Sequence, residues 1–146
     1  VKLANATMDI AATPDAVFEL FTTEEGLVRW MASEATIDLR PGGAWRWVHD
    51  NGDASAGEYL EIDPPERLVF TYGWESGQFD DVPSGSTRVD VVFEPIPIGT
   101  RVTIVHAGLP AVHAERHAAG WTYFVGVLAA VATGGAAPDV NLPDHD

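Results

Sequence analysis

The chain of 146 residues contains no cysteine. Its absence removes disulfides, thiol nucleophiles and thiolate metal sites together. Basic residues are scarce: 8 Lys and Arg stand against 22 Asp and Glu, for a formal net charge of −14. Such a field repels phosphate backbones and anionic headgroups, so nucleic acid is not expected as a partner. Uninterrupted apolar runs of spanning length are also missing. The nearest stretch, Ala118 to Gly135, is broken by four glycines, two threonines and a tyrosine, so no membrane partner is expected. No charged leader with an apolar core precedes the first elements, which points to the cytoplasm. Neither a glycine-rich phosphate loop nor a Ser-His-Asp order is present, and Pro41-Gly42-Gly43 reads as a turn. His113 and His117 are four apart at a helix start, but HAERH lacks the glutamate of the zinc-protease pattern. No metal and no cofactor are therefore expected.

What is present is a regular alternation of strands and turns followed by one long helix. Lys2 to Ala11 alternates as a first strand. Thr13-Pro14-Asp15 is a helix start: a capping hydroxyl, a proline suited to the first helical position, and a carboxylate at the positive end of the helix dipole. Val17, Phe18, Leu20 and Phe21 give that short helix an apolar face. Thr23-Glu24-Glu25 opens a second short helix ending near Trp30 and Met31. A strand over Ala35 to Leu39 follows.

Ala44 to His49 alternates with period two, placing Trp45, Trp47 and His49 on one face. Asp50-Asn51-Gly52-Asp53 is a strong hairpin signal. Gly57 to Ile62 returns, with Glu58, Leu60 and Ile62 expected on one face. Leu68, Phe70, Tyr72 and Trp74 share the next apolar face, then Thr87, Val89, Val91 and Phe93, then Val102, Ile104 and His106. Glu75 to Ser86 is a longer connection that reads as a mobile rim or a solvated loop.

Ala111 to Thr133 is the long helix, ended by Gly134-Gly135. At roughly 100° per residue, Ala114, His117, Ala118, Trp121, Phe124, Val125, Leu128 and Ala132 face the sheet. The opposite stripe carries Ala119, Tyr123, Gly126, Val127 and Ala130, with no charge between Ala118 and Pro138. An uncharged outer stripe needs a cover. Two covers suggest themselves: the chain's own tail through Val140 and Leu142, or a homodimer through Tyr123, Val127 and Ala130. Two-fold contacts are the commoner solution, so the dimer is favoured. The domain is expected over 1–135, with an acidic tail over 136–146.

The order of strand, two short helices, six strands and long helix is accompanied by LRPGGAWRW, GEYLEIDPPERLVFTYGW, STRVDVVFEP, GTRVTIVHAGLP and HAAGW. Together these resemble the SRPBCC (START-like, helix-grip) superfamily, in the branch named after the activator of the heat-shock protein 90 ATPase. The resemblance covers nearly the whole chain. It implies an α+β helix-grip fold: a curved antiparallel sheet of six to seven strands wrapped around the long C-terminal helix, with a cavity between them. The superfamily includes lipid carriers, aromatic cyclases and co-chaperones, so the fold alone names no ligand. The long helix departs from the branch in lacking a charged outer face.

On this reading the cavity is the functional site. Its expected ligand is a small hydrophobic or aromatic molecule. Trp45, Trp47, Phe70, Trp74, Trp121 and Phe124 would supply aromatic walls, and His49, Glu58, Tyr72, His106 and His117 isolated polar groups. Two alternatives remain at this point. One is a cyclase- or dehydratase-like enzyme using His49, Glu58 or His106 as acid and base. The other is a protein-interaction domain of co-chaperone type acting on heat-shock protein 90.

Overall fold

The structure is a computed structural model and describes residues 3–75, 79 and 81–134. Strand β1 (Ala4–Ile10) is followed by helices α1 (Pro14–Thr22) and α2 (Glu24–Trp30). Six strands then run in succession: β2 (Glu34–Ile37), β3 (Ala44–Val48), β4 (Ala54–Asp63), β5 (Arg67–Trp74), β6 (Thr87–Ile96) and β7 (Gly99–Ala107). Helix α3 (Ala111–Ala132) closes the described chain. The strands form one antiparallel seven-stranded sheet in the order β1-β7-β6-β5-β4-β3-β2. This is the helix-grip arrangement expected from the sequence, and the strand faces place the core between α3 and the concave side of the sheet.

The short helices form where their caps require. Thr13 Oγ1 accepts from the Ala16 amide at 3.3 Å, and Thr23 Oγ1 accepts from Gly26 at 2.9 Å. Their apolar residues then dock on the sheet through rings. Phe18 and Phe21 lie 5.1 and 5.4 Å from Phe93 of β6, and Trp30 packs on Phe21 at 4.6 Å while donating to the Leu20 carbonyl. Trp30 is therefore a core plug.

The hairpin between β3 and β4 turns at Gly52, whose φ of +91° suits glycine. Gly57 is required for a different reason. A side chain there would run into the carbonyl of Thr71, the group that accepts the Trp45 indole N–H at 3.1 Å.

One strand departs from the expected facing. Trp45 pairs with Gly57 and Trp47 with Ser55, so Ser55, Gly57 and Tyr59 turn inward. The register then shifts between Tyr59 and Glu61, an irregularity that sends Leu60 and Glu61 outward before Ile62 faces in again. Counting back from Ile62 with strict period two put Glu58 on the cavity side. The bulge reverses that parity, and Glu58 lies exposed on the outer face.

Helix α3 also differs from its expected facing. Val127, assigned to an outward stripe, is only 5% exposed within the single chain. Helices α1 and α2 both pack against α3, so its covered sector is wider than the sheet alone would make it. Tyr123 and Ala130 stay half-buried, and Ala119 is exposed. The alternative cover through Val140 and Leu142 lies outside the described residues, as does the acidic tail. So do residues 76–78 and 80 of the connection read as a mobile rim; Phe79 and Val82 of that connection are buried.

Candidate functional site

Three histidines are buried under α3: His49 at the end of β3, His106 on β7 and His117 on α3. A buried imidazole needs partners for both nitrogens, and each has them. Trp121 Nε1–H donates to His106 Nδ1 at 3.1 Å. The proton of His106 is thereby on Nε2, which donates to Thr87 Oγ1 at 2.8 Å, and the Thr87 hydroxyl in turn donates to the Tyr72 carbonyl at 2.7 Å. His117 takes the other tautomer. Its Nε2 accepts from Trp74 Nε1–H at 3.1 Å, and its Nδ1–H donates to the His113 carbonyl at 2.9 Å. His49 donates through Nδ1 to the Met31 carbonyl at 3.3 Å and meets Ser55 Oγ through Nε2 at 2.9 Å.

Burial dominates the electrostatics of all three rings. It pushes the pKa of His106 down to about 3, helped by nearby His117, and those of His117 and His49 down to about 4. The three are neutral at pH 7. His113 sits at the edge instead, its Nε2 within 2.8 and 3.0 Å of the two Asp81 carboxylate oxygens. Among the described residues no group of three or more His, Cys, Asp or Glu is placed to hold a metal.

Tyr72 is the centre of the aromatic cluster. Its ring lies 4.8 Å from His106, 5.5 Å from Trp45, 5.8 Å from Trp74, 5.9 Å from Trp121 and 6.4 Å from His117. Beside it a small void opens between α2, the sheet and α3. Met31, His49, Tyr72, His117, Gly120, Trp121 and Phe124 line it, and its volume is about 10 Å³. That is room for about one water molecule.

The structure thus gathers His49, Tyr72, His117, Trp121 and Phe124 at one void. Trp74 stands behind His117, and His106 behind Tyr72. Trp45, Trp47 and Phe70 pack deeper, with Trp45 and Trp47 rings 4.2 Å apart and Phe70 5.4 Å from Trp45. Glu58 is not part of the site. Sequence reasoning passed over Met31 and Gly120 in the lining, over Ser55 and Thr87 as hydrogen-bond partners, and over Phe79, whose buried ring packs 4.6 Å from His117. Ser55 could have been found by counting from the Asn51-Gly52 turn instead of from Ile62.

A sheet gripping one long helix over a polar-aromatic cluster defines a helix-grip domain. A family model described as activator of Hsp90 ATPase homolog 1-like protein matches residues 11–133, and the chain belongs to that family. The human activator of 90 kDa heat shock protein ATPase homolog 1 is 27% identical over 120 residues, which are 79% of this chain and 32% of the human protein. The chain therefore spans about a third of that relative's length. The solution structure of an AHSA1-like protein of Rhizobium etli is 32% identical, with a TM-score of 0.72 over 94% of this chain and 86% of its own. The solution structure of the Aha1 dimer of Colwellia psychrerythraea is 18% identical and shares the fold, with a TM-score of 0.77 over 92% of this chain and 98% of its own. No helix among the described residues is long and apolar enough to cross a membrane.

Proposed function

We propose that the domain binds a small hydrophobic or aromatic molecule between α3 and the sheet. The observation that carries this is the void lined by His49, Tyr72, His117, Trp121 and Phe124. Apolar rings with a few fixed polar groups are the usual lining of a small-molecule site. The void of about 10 Å³ is far below the roughly 300 Å³ of an ordinary ligand pocket. Binding therefore requires the aromatic side chains or α3 to move aside, and the ligand takes the place of contacts the protein now makes with itself. A panel of apolar and aromatic compounds, read by tryptophan fluorescence and thermal shift, tests this. A saturable response that raises the melting temperature is expected; no response from any class would overturn it.

The acid-base alternative loses support. Glu58 faces the other way, and both nitrogens of His106 are engaged by Trp121 and Thr87.

A second reading, interaction with heat-shock protein 90, is supported by the likeness to the human activator. Stimulation of the chaperone's ATPase by the purified chain is its test. Self-association would have to use Tyr123 and Ala130 without Val127; the dimeric Colwellia structure is what keeps it in view.

A further inference from the structure

Helix α3 carries two glycines in its interior, Gly120 and Gly126. Glycine is the poorest helix former after proline, because it gives up the most backbone freedom on folding. Gly126 is half-buried, and no neighbouring atom lies within 4 Å of where a Cβ would stand. Gly120 is buried and lines the void, together with His117, Trp121 and Phe124 of the same helix. At roughly 100° per residue these four share one stripe, and Gly120 lies between His117 and Phe124 along it. A side chain at position 120 would project to the same side as theirs. Without one, the backbone of α3 is bare at the wall of the void.

The residues around that bare patch are held to different degrees. Trp121 is tied to His106 through its indole N–H, and His117 to Trp74 and the His113 carbonyl. His49 is tied to the Met31 carbonyl and Ser55. The Phe124 side chain has no polar group to anchor it, and meets His49 ring to ring at 6.1 Å. The Met31 side chain is unbranched and adapts easily. Room for a ligand therefore opens most readily where Met31, Gly120 and Phe124 border the void.

Resting on the proposed ligand-binding function, we infer that Gly120 sets what the site accepts: the ligand presents a flat, uncharged ring that lies against the bare backbone of α3 at Gly120, with Met31 and Phe124 moving aside. Glycine is the residue that lets a ligand approach the backbone closely. The void has room for about one water molecule, which is close to the size of one methyl group. An alanine at 120 would fill the void in the free protein and would stand where the ligand ring must lie. Its effects on stability and on binding thus have opposite signs, which a purely structural glycine would not show.

Gly120→Ala is tested with two probes, 2-naphthol and the tightest-binding compound of the panel. In ligand-free protein the melting temperature should rise by about 2–4 °C, the effect of replacing a helix-interior glycine in a domain of this size. Isothermal titration calorimetry should show binding weakened by about tenfold or more, as for a methyl group forced into occupied space. Gly126→Ala, where a methyl meets no neighbour, should raise the melting temperature similarly and leave binding unchanged. A melting temperature of Gly120→Ala equal to or below that of the wild type, or a chain that does not fold, would mean that close packing requires the glycine, and would overturn the inference. An unchanged affinity would overturn it as well, while leaving ligand binding itself standing. If the wild type binds neither 2-naphthol nor any compound of the panel, the inference falls with the function on which it rests.

Discussion

The indole N–H of Trp121 fixes the proton of His106. By donating to Nδ1 at 3.1 Å it leaves Nε2 as the only protonated nitrogen of a neutral ring. Trp74 does the same to His117 from the other side, at Nε2. The two imidazoles, with centroids 5.5 Å apart, are thus held neutral in opposite tautomers. Adding a proton to either would set a new N–H against an indole N–H.

Stability should therefore fall as the pH drops. For His49, His106 and His117 the folded pKa values, about 4, 3 and 4, lie below the ordinary 6.5. Between pH 6.5 and 4 the unfolded chain binds protons that the folded chain refuses, so unfolding becomes easier with every step down. Above the ordinary value these groups contribute no slope. Each unit of difference is worth about 1.4 kcal/mol, so the three together amount to several kcal/mol. Urea melts at pH 7.5, 6, 5 and 4.5 check this, and His106→Asn should flatten the slope. A stability constant from pH 7.5 to 4.5 would contradict the buried neutral network.

Trp121→Ala should cost about 3–5 kcal/mol, the usual loss for a buried large aromatic. Trp121→Phe keeps a ring but strands His106 Nδ1, and should cost at least the roughly 1–3 kcal/mol of an unpaired buried acceptor. Equilibrium urea unfolding measures both. A change below about 0.5 kcal/mol for Trp121→Phe, the range of ordinary surface substitutions, would mean that the indole N–H bond does not form.

Val127→Glu should weaken the fold itself. The side chain is nearly sealed within one chain, and an unpaired carboxylate buried there would be strongly unfavourable. A lowered melting temperature, independent of protein concentration, is expected. Ala119→Glu, at an exposed position of the same helix, should be close to neutral. A Val127→Glu chain as stable as the wild type would return the residue to the surface.

Glu58→Gln should leave ligand binding unchanged, because the carboxylate is on the outer face of β4. Titration of the best compound from the panel against both proteins decides it. A tenfold loss of affinity would mean that β4 has the opposite facing.

Most of the sheet was legible because β3, β5, β6 and β7 announce their inward faces. Trp45, Trp47 and His49 alternate without a fault, as do Leu68, Phe70, Tyr72 and Trp74, and all seven are buried. Tyr59 was hidden by the bulge: alternation is a local rule, and one extra residue at Leu60 or Glu61 breaks it without any proline or glycine as a marker. Val127 was misread because helical periodicity gives angles about one axis only. It does not say how many neighbours share the helix, and here α1 and α2 flank it beside the sheet. The histidines were recognised as inward-facing from sequence. Their pairing with Trp74 and Trp121 was not, because it joins strand to helix over 43 and 15 positions of chain, where no local pattern reaches.

The five indole N–H groups make the most direct test of a ligand between α3 and the sheet. In a ¹H–¹⁵N correlation spectrum each gives its own signal. Adding the tightest-binding compound of the panel should move the signals of Trp47, Trp74 and Trp121, which surround the void or adjoin its lining, and leave Trp30, tied to Leu20 behind Phe21, in place. Indole signals unmoved at saturating probe, with changes confined to surface amides, would contradict the account.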